Sequence, residues 1–124
     1  KKNNEFLGKI LIRNGYIKEE ELLEALAEQF SLKKISLKYK YIDNNLLRDF
    51  SQTLILDYRC LPIERDKDIV TFAITNPLDA WMIKKAEEEA GRFKACFVLV
   101  SESDMEEALL RYRQYLKQNI LKGI

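Results

Sequence analysis

Two acidic triplets, Glu19-Glu20-Glu21 and Glu87-Glu88-Glu89, and two cysteines, Cys60 and Cys96, hold the side chains that could serve this chain as acids, bases or nucleophiles. Paired carboxylates do general acid and base chemistry when their surroundings push their pKa values apart. Each triplet falls on a predicted helix, however, where a solvated face accounts for it. The cysteines sit in apolar stretches, Arg-Cys-Leu-Pro and Ala-Cys-Phe-Val, in which a free thiol behaves as a small buried hydrophobe. No disulfide is needed, and a reducing, cytoplasmic setting fits. The 124 residues include no histidine. That removes the commonest general base, most zinc-site arrangements, and every serine-histidine or cysteine-histidine nucleophile within the chain. The four glycines, Gly8, Gly15, Gly91 and Gly123, are never spaced as the phosphate loop G-x-x-x-x-G-K-[ST] requires. The chain reads as non-catalytic, with no catalytic residue, no metal ligand set and no resident cofactor.

What remains is the chemistry of contact. The segment Leu7-Gly8-x-x-Leu11-x-x-x-Gly15-x₆-Leu22-x₃-Leu26-x₂-Gln29 places two glycines and a glutamine in an amphipathic helical pattern. Glycine inside a helix costs roughly 1 kcal/mol against alanine, so Gly8 marks a place where a neighbouring helix or a ligand comes close to the backbone. Gly15 follows Asn14 and the apolar run Phe6 to Ile12, and suits the left-handed residue just past a helix end. The leucines also have a plain reading as core positions, and Gln29 as a helix-end residue that caps or faces water. Charge narrows the partners further. With 21 basic and 20 acidic residues the formal net charge is +1, without the excess expected of a nucleic-acid binder. No apolar run approaches the ~20 residues that cross a bilayer, and no signal-peptide pattern opens the chain. Membranes would therefore matter through a partner or a fused segment.

The elements that must position these residues follow from periodicity. Leu7, Ile10 and Leu11 predict one helix over Glu5 to Asn14, and Leu22, Leu23, Leu26, Ala27 and Phe30 a second over Glu19 to Phe30. Ser31 to Tyr41 interleaves lysines with Ile35, Leu37, Tyr39 and Tyr41 at period two, which predicts an extended connector or short edge strand. Such a basic and aromatic stretch could touch phosphates, although exposed-edge lysine explains it more simply. Asn44 to Tyr58 reads as one or two short helices. Strands are expected over Arg59 to Glu64 and Ile69 to Thr75, joined as a hairpin at Arg65-Asp66-Lys67-Asp68, with Pro62 at an edge or bulge. Asn76-Pro77 signals a helix from about Leu78 to Ala90 that stops at Gly91. The nearly continuous apolar run Phe93 to Val100 predicts a strand buried on both faces at the centre of the sheet, completing a βαβ unit with parallel strands. Ser101, with Asp104 in a capping-box-like position, opens a last helix whose buried stripe is Met105, Ala108, Leu109, Tyr112 and Leu116. Its other face carries Arg111, Arg113, Lys117 and Lys122. The fold class is α+β: an N-terminal helical lobe with its connector (1–43), then an α/β lobe (44–124) holding a small mixed sheet, a βαβ unit and packed helices, both parts of one module.

Four pieces in this order resemble one family. They are the Leu-Gly-x-x-Leu…Gly…Leu…Leu…Gln pattern, Tyr58-Arg59-Cys60-Leu61-Pro62-Ile63, the junction Thr75-Asn76-Pro77-Leu78-Asp79, and Ser101-x-x-Asp104-Met105-Glu106-Glu107-Ala108. Together they are similar to the N-terminal, MshEN-type domain of type II secretion and type IV pilus assembly ATPases. In that family the module precedes the motor and is not itself the motor; similar modules are fused to other bacterial proteins, including glycosyltransferases. The resemblance implies a regulatory and docking role, in which the domain binds an inner-membrane platform protein or serves a fused catalytic domain at the inner face of the inner membrane. In a subset it implies a regulatory ligand, cyclic di-GMP. That subset carries R-L-G-x-x-L-x-x-x-G-x₆-L-x₃-L-x₂-Q twice in tandem, and this chain holds one copy. Leu7, Gly8, Leu11, Gly15, Leu22, Leu26 and Gln29 match it, whereas the leading arginine is Phe6. Arginine can stack on a guanine and pair with phosphate at once; phenylalanine can only stack. The implied ligand contacts are close backbone approach at Gly8 and Gly15, apolar contact from Leu11, Leu22 and Leu26, and a polar contact from Gln29. One copy is half of a composite site, so binding is expected to be weak unless self-association supplies the other half.

Overall fold

The computed structural model describes residues 18–121. The helix expected over Glu5 to Asn14, the turn at Gly15 and Lys122 lie outside those residues. The described elements are α1 (Glu19–Phe30), β1 (Lys33–Lys34), α2 (Asn44–Arg48), a π-helical turn (Thr53–Asp57), β2 (Leu61–Asp66), β3 (Ile69–Ile74), α3 (Ala80–Ala90), β4 (Lys94–Leu99) and α4 (Glu102–Leu121). The strands form one mixed sheet in the order β1-β4-β3-β2. β2 and β3 pair antiparallel as the expected hairpin, and β3, α3 and β4 form the βαβ unit with parallel strands. The α+β class holds.

Local chemistry accounts for the boundaries. The first-turn glutamates of α1 oppose the helix dipole, and Glu21 accepts a hydrogen bond from the Lys18 N–H at 3.2 Å. At its other end Ser31 turns left-handed, with φ 55°, so the Leu32 N–H reaches back to the Ala27 carbonyl at 2.9 Å. Of the expected extended connector only Lys33 and Lys34 join the sheet, against Val98 and Leu99. The period-two reading fails beyond Leu37: Leu37 is buried, but Tyr39 takes a left-handed φ of 66° and Tyr39 and Tyr41 point into solvent. β2 starts at Leu61, because Arg59 adopts a left-handed φ of 56° and its guanidinium pairs with Glu102 and Glu106 at 3.0 and 3.1 Å. Pro62 lies on an edge strand beside a register shift between Pro62 and Glu64, where its missing N–H does least harm.

Two expectations need correction. The helix after Asn76-Pro77 begins at Ala80, not Leu78. Asp79 is its cap, accepting from the Met82 N–H at 3.1 Å, while Asn76 closes a tight turn on the Leu78 N–H at 3.0 Å. Nor is β4 the most buried strand: Ala95 to Val98 are half-buried. Among the described residues β1 pairs only with its last two positions, so Lys94 to Phe97 have no strand on that side. The core instead centres on β3, whose Val70, Phe72, Ala73 and Ile74 are almost fully enclosed. Phe72 stands between Phe50 and Phe97, with ring centroids 5.4 and 5.6 Å away. In α4, Met105, Ala108, Leu109 and Tyr112 are buried and Leu116 partly so, as the stripe predicted.

Candidate functional site

α1 carries the described half of the Leu-Gly-Leu-Gln motif. At 3.6 residues per turn, Leu22, Leu26 and Gln29 lie within about 60° of one another around the helix. Leu26 is buried in the core, Leu22 is half-buried against it and Gln29 is exposed. This helix face thus passes from the core into solvent, and only its outer part is open to a ligand. Phe6, Leu7, Gly8, Leu11 and Gly15 lie outside the described residues.

Beside this helix a cleft of about 390 Å³ opens between α1, the connector after β1 and the start of α4, lined by Glu20, Leu23, Lys34, Ser36, Lys38 and Asp104 among others. Four carboxylates tie the elements around it together. Glu24 accepts from the Lys34 ammonium at 2.7 Å, with Glu20 at 3.4 Å. That hydrogen bond is the main reason that Lys34 holds its proton more firmly than an isolated lysine and Glu24 its own less firmly than an isolated glutamate. Glu19 of α1 accepts from the Ser103 N–H at 3.2 Å and its hydroxyl at 2.9 Å, so one helix caps the start of another. Asp104 does not complete the expected capping box. Ser101 does cap α4, taking the Asp104 N–H at 3.0 Å, but the Asp104 carboxylate turns to the connector, accepting from the Leu37 N–H at 2.8 Å and the Ser36 hydroxyl at 3.1 Å. Lys38, at the cleft edge, is exposed and has no ion pair among the described residues. The lysine-rich stretch was visible in the sequence; its meeting with Asp104 was not, because nothing local links positions so far apart.

Of the groups with acid, base or nucleophile chemistry, Glu89 and Cys60 are built into the packing. Glu87 and Glu88 are solvated, but Glu89 is not: it accepts from the Ser51 N–H and hydroxyl at 2.8 and 2.6 Å and pairs with Lys85 at 3.1 Å. Cys60 is fully buried, and burial, with Glu89 and Asp79 adding negative charge, pushes its thiol far above the ordinary range. Cys96 is half-buried, not enclosed as expected. Among the described residues no cluster of three or more His, Cys, Asp or Glu side chains could hold a metal ion, and no helix is long and apolar enough to cross a membrane. The arrangement is one of surfaces, clefts and fixed charges suited to binding.

The family model of the MshEN domain matches residues 26–119. No curated protein matches the chain. Among solved structures, that of MshE with cdg agrees with a TM-score of 0.77 at 28% identity, over 90% of this chain and 81% of that one. The N-terminal domain of XpsE agrees with a TM-score of 0.65 at 16% identity, over 79% of this chain and 68% of that one, a likeness of fold. The chain belongs to the MshEN domain family, the module type at the N-terminus of type II secretion and type IV pilus assembly ATPases.

Proposed function

We propose that this chain is a regulatory docking module that performs no chemistry of its own and binds a partner protein at the inner face of the inner membrane, on behalf of a secretion or pilus assembly ATPase-like protein. The observation that carries this reading is the family match across residues 26–119, which is a match to the N-terminal module and not to a motor domain. It is supported by two exposed apolar side chains near the start of α3, Leu78 in the turn before it and Trp81 in its first turn, 60 and 71% exposed. Exposed large apolar side chains are what a partner surface can cover. The test is co-elution of the chain with the cytoplasmic segment of the inner-membrane platform protein from the same cell. A complex at micromolar concentrations is expected; separate elution refutes the reading.

A second reading, that the module takes cyclic di-GMP as a regulatory ligand, is favoured by the likeness to MshE, a structure solved with that nucleotide. In this reading Gly8 and Gly15 admit the ligand to the backbone, Phe6, Leu7, Leu11 and Leu22 line an apolar surface backed by buried Leu26, and Gln29 gives a polar contact. Calorimetric titration with cyclic di-GMP tests it, using Gly8→Arg/Gln29→Ala as control together with Gln29→Ala alone. Heat that is lost in the variants supports the reading, and no heat from the native chain at high ligand concentration ends it.

A further inference from the structure

A second concave surface, of about 380 Å³, lies between α4, α2 and the connector leading into α2, and shares no lining residue with the cleft beside α1. Its base is apolar: Leu47, Leu61 and Tyr112 are all buried. Lys40 and Arg111 line it, and among the described residues none that line it is acidic. Lys40 is half-buried yet has no ion pair among the described residues. Among the described residues Arg111 has only a long ion-pair contact, to Glu107, 3.5 Å away on the same helix, with both side chains about half exposed and screened by water. Tyr41 stands over the groove with 79% of its surface exposed, and the Arg48 Nε donates to the Tyr115 hydroxyl at 2.9 Å, drawing a third cation to the same side.

Two cations over an apolar base, with no acidic lining residue among the described ones, favour an occupant of negative charge. Since the net charge of the chain is +1, this excess is local and does not make the protein a general polyanion binder. We propose that the groove docks an acidic segment of the partner protein, its carboxylates meeting Lys40 and Arg111 and an apolar side chain resting on Leu47, Leu61 and Tyr112. The proposal rests on the docking reading above and names the surface that performs it.

The experiment is fluorescence anisotropy of the labelled cytoplasmic segment of the platform protein with the native chain, Lys40→Glu/Arg111→Glu and Trp81→Glu. The double reversal is expected to weaken binding at least tenfold with an unchanged melt, since both side chains reach solvent. Native binding should weaken steeply with salt, and a Glu→Lys change in the partner segment should restore binding to the double variant. Binding within twofold of native in Lys40→Glu/Arg111→Glu, with loss in Trp81→Glu, overturns the groove while docking stands. Absence of binding by the native chain overturns both. A native dimer, seen by light scattering, that the double reversal turns into monomer would give the groove to a second copy and overturn the partner assignment.

Discussion

Replacing Glu89 by glutamine should lower the melting temperature at neutral pH by roughly 4–8 °C. The native carboxylate accepts two hydrogen bonds from Ser51, at 2.8 and 2.6 Å, and pairs with Lys85 at 3.1 Å, with its side chain only 18% exposed. Ser51 in turn holds the start of the π-helical turn by accepting from the Leu54 N–H at 3.0 Å. A hydrogen bond to a charged group contributes about 1.5–3 kcal/mol. Glutamine keeps one acceptor oxygen but loses the charge and turns a donor toward another donor, a loss on the order of 1–2 kcal/mol. For a domain of this size each kcal/mol moves the melt by about 4 °C. Acid gives an independent check. Burial pushes the Glu89 carboxyl up, but the bonds from Ser51 and Lys85 more than offset this and hold it below its ordinary value. A folded value below the unfolded one gives stability that is full above the unfolded pKa, about 4.3, and is lost as pH falls through the folded pKa. Circular dichroism melts of both proteins should therefore differ at neutral pH and converge in acid, as pH falls below the unfolded pKa and through the lower folded one. Equal melts at neutral pH, or a gap that persists in acid, would refute the reasoning.

Leu26→Ala should destabilise by about 2–4 kcal/mol in urea denaturation, because Leu26 is buried in the core, whereas exposed Gln29→Ala should stay within about 0.5 kcal/mol. Asp79→Ala should cost about 1 kcal/mol by the same measurement, and more than Asn76→Ala, since Asp79 is the cap of α3. Native-state alkylation followed by peptide mass mapping should modify half-buried Cys96 well before Cys60, which is enclosed and whose thiol resists ionisation; equal rates would contradict the burial.

Where the side-chain period was long or the punctuation unambiguous, residues declared their own structure. Leu22, Leu23 and Leu26 wrote α1, the stripe from Met105 to Tyr112 wrote α4, Gly91 ended α3, and the charged turn between two apolar runs wrote the hairpin. Composition was equally direct about some chemistry: a chain with no histidine holds no serine-histidine or cysteine-histidine nucleophile of its own. What local pattern could not supply was the competition settled by neighbours. Asn76 and Asp79 are both good caps, and Asp79 became the cap of α3 while Asn76 closed the turn before it. The apolar run at β4 matched a fully buried strand, but burial depends on what pairs and packs beside it, and β1 is two residues long. Glu89 and Asp104 look like any helix-surface carboxylates until Ser51 and Leu37 arrive from distant parts of the chain. Lys40 and Arg111 likewise share a groove only after folding. Periodicity and capping are properties of neighbours along the chain, so sequence alone determines them; burial, ion pairing and concavity are properties of neighbours in space, and the tertiary structure alone decides those.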